Sequence, residues 1–501
     1  MRHLLRTLTI TALLFPLAVS VAHAQDKGQE ALDQATDKKL TAENLADLND
    51  VIRLCDQALK QGLDETNTQY ANNLLTGTLL QRATVLTAAI FQQSPPDRRW
   101  PELRGVAIQD LERAIKIDPK LGEAHYLIAR LHSLPGGDQD RARKAIELAI
   151  EHTKKDKLAH AKSLTLRANL IPFDPNPKTD EEKQAAEKAA TERLAGYAAA
   201  IEIAPADDEA VRSRGRFYLA QSKFKEAIED FSKALELDKE NLEARLLRAR
   251  AYQQDGDAKR AREDLDALLK NQPGLVAALE LRAVLAASNR EFKQAIADFE
   301  ELLKVAPNNA ELLAQIGLLY QASKKPRAAI EKFNAALEHD NGLFAALRGR
   351  ADAYLSIGKQ AEAIADYEQA LKVRPKEPGL LNNLAWVLAT SPDEKIRDGQ
   401  RAIELAKQGC EATEYKEAHI LSTLAAGYAE SGEWDEAIKW SKKAVELGGE
   451  AIDDQLKKEL ASYEQKKPWR ERQEITEEQE NAPAEEKPNA NQTFKKDDDA
   501  K

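Results

Sequence analysis

Cysteine is almost missing from this chain: two thiols in 501 residues, Cys55 and Cys410, leave no disulfide framework to hold a fold together. Each falls in an apolar slot of an expected helix, where a thiol acts as a small buried hydrophobe. Aromatic residues are scarce at 5%, while charged residues reach 31% with a formal net charge of -11. That balance describes a solvated helical protein. An excess of Lys and Arg is also missing, which argues against a nucleic-acid partner, since neutralising phosphates needs one. The spacings that mark common enzymes are absent as well: the sequence contains no HExxH, GxSxG, GxxxxGK[ST] or CxxC. We therefore expect neither an active site nor a cofactor.

The first 24 residues differ from the rest. Arg2 and Arg6 are basic, Leu8 to Leu17 is almost wholly apolar, and Ala22-His23-Ala24 places small residues at its outer positions. This order reads as a secretory signal with cleavage before Gln25, and an exported chain, periplasmic or secreted, is expected. The run is shorter than the roughly 20 apolar residues of a membrane span. No Cys follows it to carry a lipid, and no later segment reads as a membrane anchor.

What the sequence has in abundance is a repeat. Counted from residues 208, 242, 276, 310 and 344, five units of 34 positions follow one another without insertion. Position 20 is always Ala (Ala227, Ala261, Ala295, Ala329, Ala363), and position 8 is always small (Gly215, Ala249, Ala283, Gly317, Ala351). Position 11 is Tyr in four units (Tyr218, Tyr252, Tyr320, Tyr354), and position 24 is large (Phe231, Leu265, Phe299, Phe333, Tyr367). Pro273, Pro307 and Pro375 close three units at position 32. Small residues at 8 and 20 let two helices approach, large residues at 11 and 24 fill the space beside them, and Pro ends the second helix. Each unit is then an antiparallel helical hairpin whose remaining apolar face needs the next hairpin to cover it.

This pattern resembles the tetratricopeptide repeat. The resemblance implies an all-α, right-handed superhelix of stacked hairpins, about ten of them here, preceded by a helix near 41 to 60. The expected organisation is a signal at 1–24, irregular repeats with inserted loops at 25–207, the five regular units at 208–377, two further units at 378–449, a capping helix at 450–468, and a disordered charged tail at 469–501. The inserted loops lie at Gln92 to Pro101 and Pro172 to Asp180. In the last helix Ile452, Leu456, Leu460 and Tyr463 form one apolar stripe, as the end of a solenoid should.

Four histidines, His125, His132, His152 and His160, cluster in one stretch. His132 takes the position-11 slot of a unit starting at 122, so packing explains it, and without Cys or Asp at ligand spacing no metal site is expected. A second regularity is electrostatic: Arg at position 7 accompanies Asp at position 23. The pairs are Arg214 with Asp230, Arg248 with Asp264, Arg282 with Asp298, Arg350 with Asp366 and, upstream, Arg82 with Asp110. Both are lost together at Ile316 and Lys332, Leu384 and Leu405, and Leu424 and Trp440, while Arg167 faces Gly196. Joint presence and joint loss predict a bridge between the two helices of one hairpin.

In the resembled family, helix A positions 2, 5, 9 and 12 face a concave groove that receives a protein or peptide. The positions so implied include Arg212, Arg216, Leu246, Arg250, Gln253 and Arg348 as partner-binding residues, with Glu209 and Glu243 on the same inner face. Arg212 and Arg216 share one helix face, and Arg250 repeats the place of Arg216 one unit on. Three guanidinium groups are therefore expected to converge on an acidic peptide segment, unless the two Glu neutralise them. The Lys/Asn clamp of chaperone-tail-binding family members is absent, since Trp386 stands near Asn382 and Asn383 where a second polar donor would be needed. The reading is a non-catalytic protein-binding scaffold. An accessory or catalytic factor for envelope polymers, acting through 25–207, is the alternative, and a fragment of residues 208–468 is expected to separate the two. Partner identity and oligomeric state stay open.

Overall fold

The computed structural model describes residues 27–92, 99–448 and 453–471. Among them the regular structure is helical, 23 helices in all. The described residues form two compact units, divided between Ala261 and Arg262. The first contains α1 (Lys27–Leu40), α2 (Leu45–Gln61), α3 (Glu65–Gln92), α4 (Trp100–Ile117), α5 (Gly122–His132), α6 (Gln139–Thr153), α7 (Lys157–Leu170), α8 (Asp180–Ile203), α9 (Asp208–Ala220), α10 (Phe224–Leu237) and α11 (Leu242–Gln254). The division falls inside α12 (Ala258–Asn271). The second unit contains α13 (Val276–Ser288), α14 (Phe292–Val305), α15 (Ala310–Ala322), α16 (Pro326–His339), α17 (Phe344–Ser356), α18 (Gln360–Val373), α19 (Pro378–Thr390), α20 (Gly399–Ala412), α21 (Ala418–Glu430), α22 (Trp434–Leu447) and α23 (Asp453–Glu464).

Consecutive helices pack as hairpins: α1 on α2, α3 on α4, and so on to α9 on α10 in the first unit, then α13 on α14 through α21 on α22 in the second. The helix expected alone near 41 to 60 is α2, and it is the second arm of a hairpin with α1. Local chemistry starts the irregular helices. Asn44 with Asp47 and Thr179 with Glu182 form reciprocal capping boxes for α2 and α8. The second box restarts the helix directly after the proline-bearing loop.

The repeat positions do what their sizes imply. All five position-20 alanines are fully buried. A Cβ on Gly215 would lie 2.9 Å from the Phe231 ring, and one on Gly317 would lie 2.5 Å from the Phe333 ring, so position 8 is small because the position-24 ring rests on it. The turn between the two arms adds a feature not read from the sequence. Position 15 has positive φ throughout: Ser222 (58), Gly256 (85), Arg290 (60), Lys324 (59) and Gly358 (80). Three units hold an ordinary residue where glycine would be unstrained.

The Arg–Asp pairs form with one geometry. Nε and Nη2 of Arg82, Arg214, Arg282 and Arg350 each donate to the two carboxylate oxygens of Asp110, Asp230, Asp298 and Asp366 at 2.6–2.9 Å. The Asp hydrogen bonds hold Arg214, Arg282 and Arg350 above their ordinary pKa. The fifth expected pair, Arg248 and Asp264, lies on opposite sides of the unit division. The remaining guanidinium nitrogen, Nη1, reaches back to position 25 of the preceding repeat: Arg248 to Ser232 (3.1 Å), Arg282 to Asp266 (2.6 Å) and Arg350 to Asn334 (2.7 Å). One arginine thus closes its own hairpin and stitches it to its neighbour. Where the pair is lost, Ile316, Leu384 and Leu424 are fully buried and Lys332 turns to Glu300. Arg167 lacks its Asp because a Cβ on Gly196 would already lie 3.0 Å from Ala168 Cβ; it turns instead toward Glu147.

Three expectations change. Residues 65–91 of α3 are long and apolar enough to cross a membrane by composition, contrary to the absence of any later candidate. Here that helix carries Ala71, Leu75, Leu79, Ala83, Leu86 and Ile90 into the core, together with Arg82 paired to Asp110. In α23, Leu456 and Tyr463 are buried, and so is Glu459 at 1% exposure; Ile452 lies outside the described residues. Past Trp469, Arg470 pairs with Glu430 (2.6 Å), and Glu471 donates its N–H to Thr390 O (3.0 Å) while accepting from Trp386 Nε1 (2.8 Å). The signal segment and residues 472–501 of the tail lie outside the described residues.

Candidate functional site

The first unit contains a cleft of about 780 Å³ built mainly by α5, α7 and α9. Tyr126 and Arg130 stand at positions 5 and 9 of the repeat starting at 122, as Arg212 and Arg216 do in the repeat starting at 208, and all four line the cleft. Arg143 and Arg193 join them, with Glu209 and Glu243 as the carboxylates of the lining. Five arginines therefore face two glutamates in a chain whose net charge is -11.

Aromatic rings hold two of these arginines. The Arg130 guanidinium lies 4.1 Å from the Phe91 ring centroid, and Arg193 lies 5.0 Å from that of Phe217. Arg193 also donates to the carbonyl of Ile171, at 2.9 Å through Nε. Phe173, from the inserted loop, packs edge-on against Phe217 at 4.8 Å. The loop that interrupts the repeat thus becomes a wall, with Ile171 and Pro172 at its edge. Burial raises the Glu209 carboxyl above its usual range despite the opposing charges of Lys162, Arg130 and Arg212.

The expected arginine patch is assembled only in part. Arg212 and Arg216 meet, but on Glu243, at 2.5 Å and 3.2 Å. Arg212 also binds Asp208 at 2.6 Å, which in turn accepts from Asn241. Arg250 is exposed on α11, and neither it nor the half-buried Leu246 and Gln253 lines the cleft. The convergence runs toward the N-terminus, to Arg130, Arg143 and Arg193, instead of onward to Arg250. Arg348 lies in the second unit, exposed, with Nε 4.0 Å from Asp352. The missed residues Tyr126 and Arg130 were within reach of the same position rule, applied to the unit at 122.

The histidines are engaged by the fold. His125 Nε2 lies 2.9 Å from Pro119 O, His132 Nδ1 accepts from Asp138 N at 3.3 Å, and burial lowers the His132 pKa. Among the described residues no group of three His, Cys, Asp or Glu is placed to hold a metal. Both cysteines are free and buried, and burial pushes their thiols up to about 11.

Packed helical hairpins with one repeated residue pattern define a helical-repeat protein. Within that class the chain carries tetratricopeptide repeats: residues 218–285 match a family model described as "Tetratricopeptide repeat", and residues 351–390 match one described as "TPR repeat". Curated relatives include a "Tetratricopeptide repeat and J domain-containing co-chaperone DNJ1" from Fusarium oxysporum f. sp. lycopersici, 28% identical over 118 residues, 23% of each chain. Its namesake from Cryptococcus neoformans var. grubii is 31% identical over 128 residues, 24% of each chain. The chain thus spans about a quarter of the length of these relatives. Similar solved structures include a tetratricopeptide repeat protein from Parabacteroides merdae (18% identity, 51% of this chain and 98% of that one, TM-score 0.36). Another is YrrB, titled "a TPR protein with an unusual peptide-binding site" (21% identity, 41% and 97%, TM-score 0.33).

Proposed function

We propose that this chain is a non-catalytic scaffold acting outside the cytoplasm, and that the cleft of its first unit holds an acidic peptide segment of a partner protein. One observation carries the reading: five arginines and two glutamates share a single cleft, with Arg130, Arg212 and Arg216 on the inner helices α5 and α9 and Arg143 and Arg193 reaching it from α6 and α8. Arginine grips carboxylates through two parallel N–H groups, and ring contacts that orient its guanidinium reduce the freedom lost on binding. Glu243 does not use up this capacity. Arg216 is 43% exposed and touches the two Glu243 carboxylate oxygens through one nitrogen at 3.2 and 3.3 Å, the kind of surface pair worth little by itself.

The test uses the full mature chain and an acetylated, amidated nonapeptide with three central Glu, followed by fluorescence anisotropy. Arg130→Ala with Arg216→Ala weakens binding by about 10- to 100-fold and flattens its salt dependence, with the helical signal unchanged. Equal binding by parent and double variant at low salt would place the partner elsewhere. A fragment of residues 208–468 does not serve, because it removes Arg130, Arg143 and Arg193 from the cleft. Export with cleavage before Gln25 belongs to the same proposal and rests on the order of basic, apolar and small residues at 1–24.

A further inference from the structure

The second unit holds a cleft of opposite character, about 390 Å³, between α17, α19, α21 and α23. Two of its lining residues are acids, Asp352 and Glu459, and none is Lys or Arg. Glu459 accepts hydrogen bonds from the Ser422 hydroxyl and, at 2.9 Å, from Gln455 Nε2. Asp352 accepts from the Tyr367 hydroxyl. These donors are neutral; the cation nearest Asp352 is Arg348, 4.0 Å away and 48% exposed. Trp386 completes the wall, its indole N–H fixed on Glu471 at 2.8 Å.

We propose that this pocket binds a lysine or arginine side chain of a partner polypeptide. The fold alone has no need of a carboxylate at 459: the Ser422 hydroxyl and Gln455 amide would satisfy a neutral amide there equally well. A carboxylate 1% exposed and without a counter-ion among the described residues destabilises the free protein, because neutral hydrogen bonds replace hydration only in part. A cation entering the cleft supplies the missing charge where water no longer screens it, and the indole offers a flat apolar surface to its methylene stem. Burial raises both carboxyls above their usual range, as expected of acids awaiting a counter-charge. The site is separate from the arginine-lined cleft of the first unit, and the two proposals fail independently.

The experiment takes the full chain and four labelled nonapeptides of Gly and Ser, acetylated and amidated, whose central residue is Lys, Arg, Gln or Glu. At low salt the Lys and Arg peptides bind about ten-fold or more tighter than the Gln peptide, and the Glu peptide binds most weakly. Glu459→Gln removes the preference, and Asp352→Asn reduces it as an independent variant should the first disturb the fold. Arg130→Ala with Arg216→Ala leaves the preference intact. Equal binding of the Lys and Gln peptides, or a ten-fold preference surviving both acid substitutions, would overturn the assignment.

Discussion

Replacing Asp366 by Leu tests how the hairpins are held. Asp366 is 4% exposed and receives both Nε and Nη2 of Arg350 at 2.7 and 2.6 Å. Its removal leaves a guanidinium that is 20% exposed with Asn334, at 2.7 Å, as its one remaining acceptor among the described residues. Breaking a buried pair from one side costs ~3–5 kcal/mol. Asn334 and residual water contact place Asp366→Leu at the lower end, about 3 kcal/mol. Adding Arg350→Leu removes the stranded charge and makes this hairpin resemble the neighbouring one, where Leu384 is fully buried and Leu405 packs against the same core. The double variant should therefore lose only about 1 kcal/mol, a coupling of ~2 kcal/mol or more. Urea unfolding followed by tryptophan fluorescence suits the experiment, because Trp386, Trp434, Trp440 and Trp469 lie in the second unit and only Trp100 in the first. Additive losses, or a double variant less stable than Asp366→Leu, would refute the reasoning.

Arg290→Gly and Lys324→Gly release left-handed backbone strain (φ 60 and 59) and should each raise the unfolding free energy, by about 0.5–1 kcal/mol, whereas Gly358→Ala lowers it. Glu459→Gln should raise the melting temperature near neutral pH. Its folded pKa is raised above the ordinary 4.5, so the acid's favourable contribution is present below that value and is lost as pH rises through the folded pKa. The gap between variant and parent should therefore close in acid, and a gap independent of pH would contradict the argument. Intact-mass measurement of the exported protein should give a chain starting at Gln25; one still starting at Met1 would refute cleavage.

The hairpins were legible because two rules recur along the repeats. A ring at position 24 needs a small residue at position 8, as Phe333 on Gly317 illustrates, and an Arg at position 7 is matched, in all units but that of Arg167, by an Asp at position 23. Those constraints survive insertion, which is why Arg82 still finds Asp110 across a lengthened connection. The turn at position 15 was hidden because Ser222, Arg290 and Lys324 do not advertise positive φ. The cleft was only half legible. Repeat register places Arg212 and Arg216 on the inner face, but their engagement by Glu243 and Asp208 depends on side chains from a neighbouring hairpin and a helix terminus. The inserted loop escaped for a different reason: nothing in its proline-rich composition tells that Phe173 seats on Phe217. Glu459 follows two lysines on a charged helix, and only the packing of α23 turns it inward.

The central claim, an acidic segment held against the inner helices of the first unit, is tested most directly by crosslinking. A nonapeptide with Glu on both sides of a central benzoylphenylalanine is irradiated with the full chain, and mass spectrometry locates the attachment. The account predicts adducts on cleft residues such as Ser133, Leu166 and Ser213, competed by unlabelled acidic peptide and lost in Arg130→Ala with Arg216→Ala. Adducts concentrated instead on the outer arms, for example on α10 or α14, with the same yield in the double variant, would contradict it.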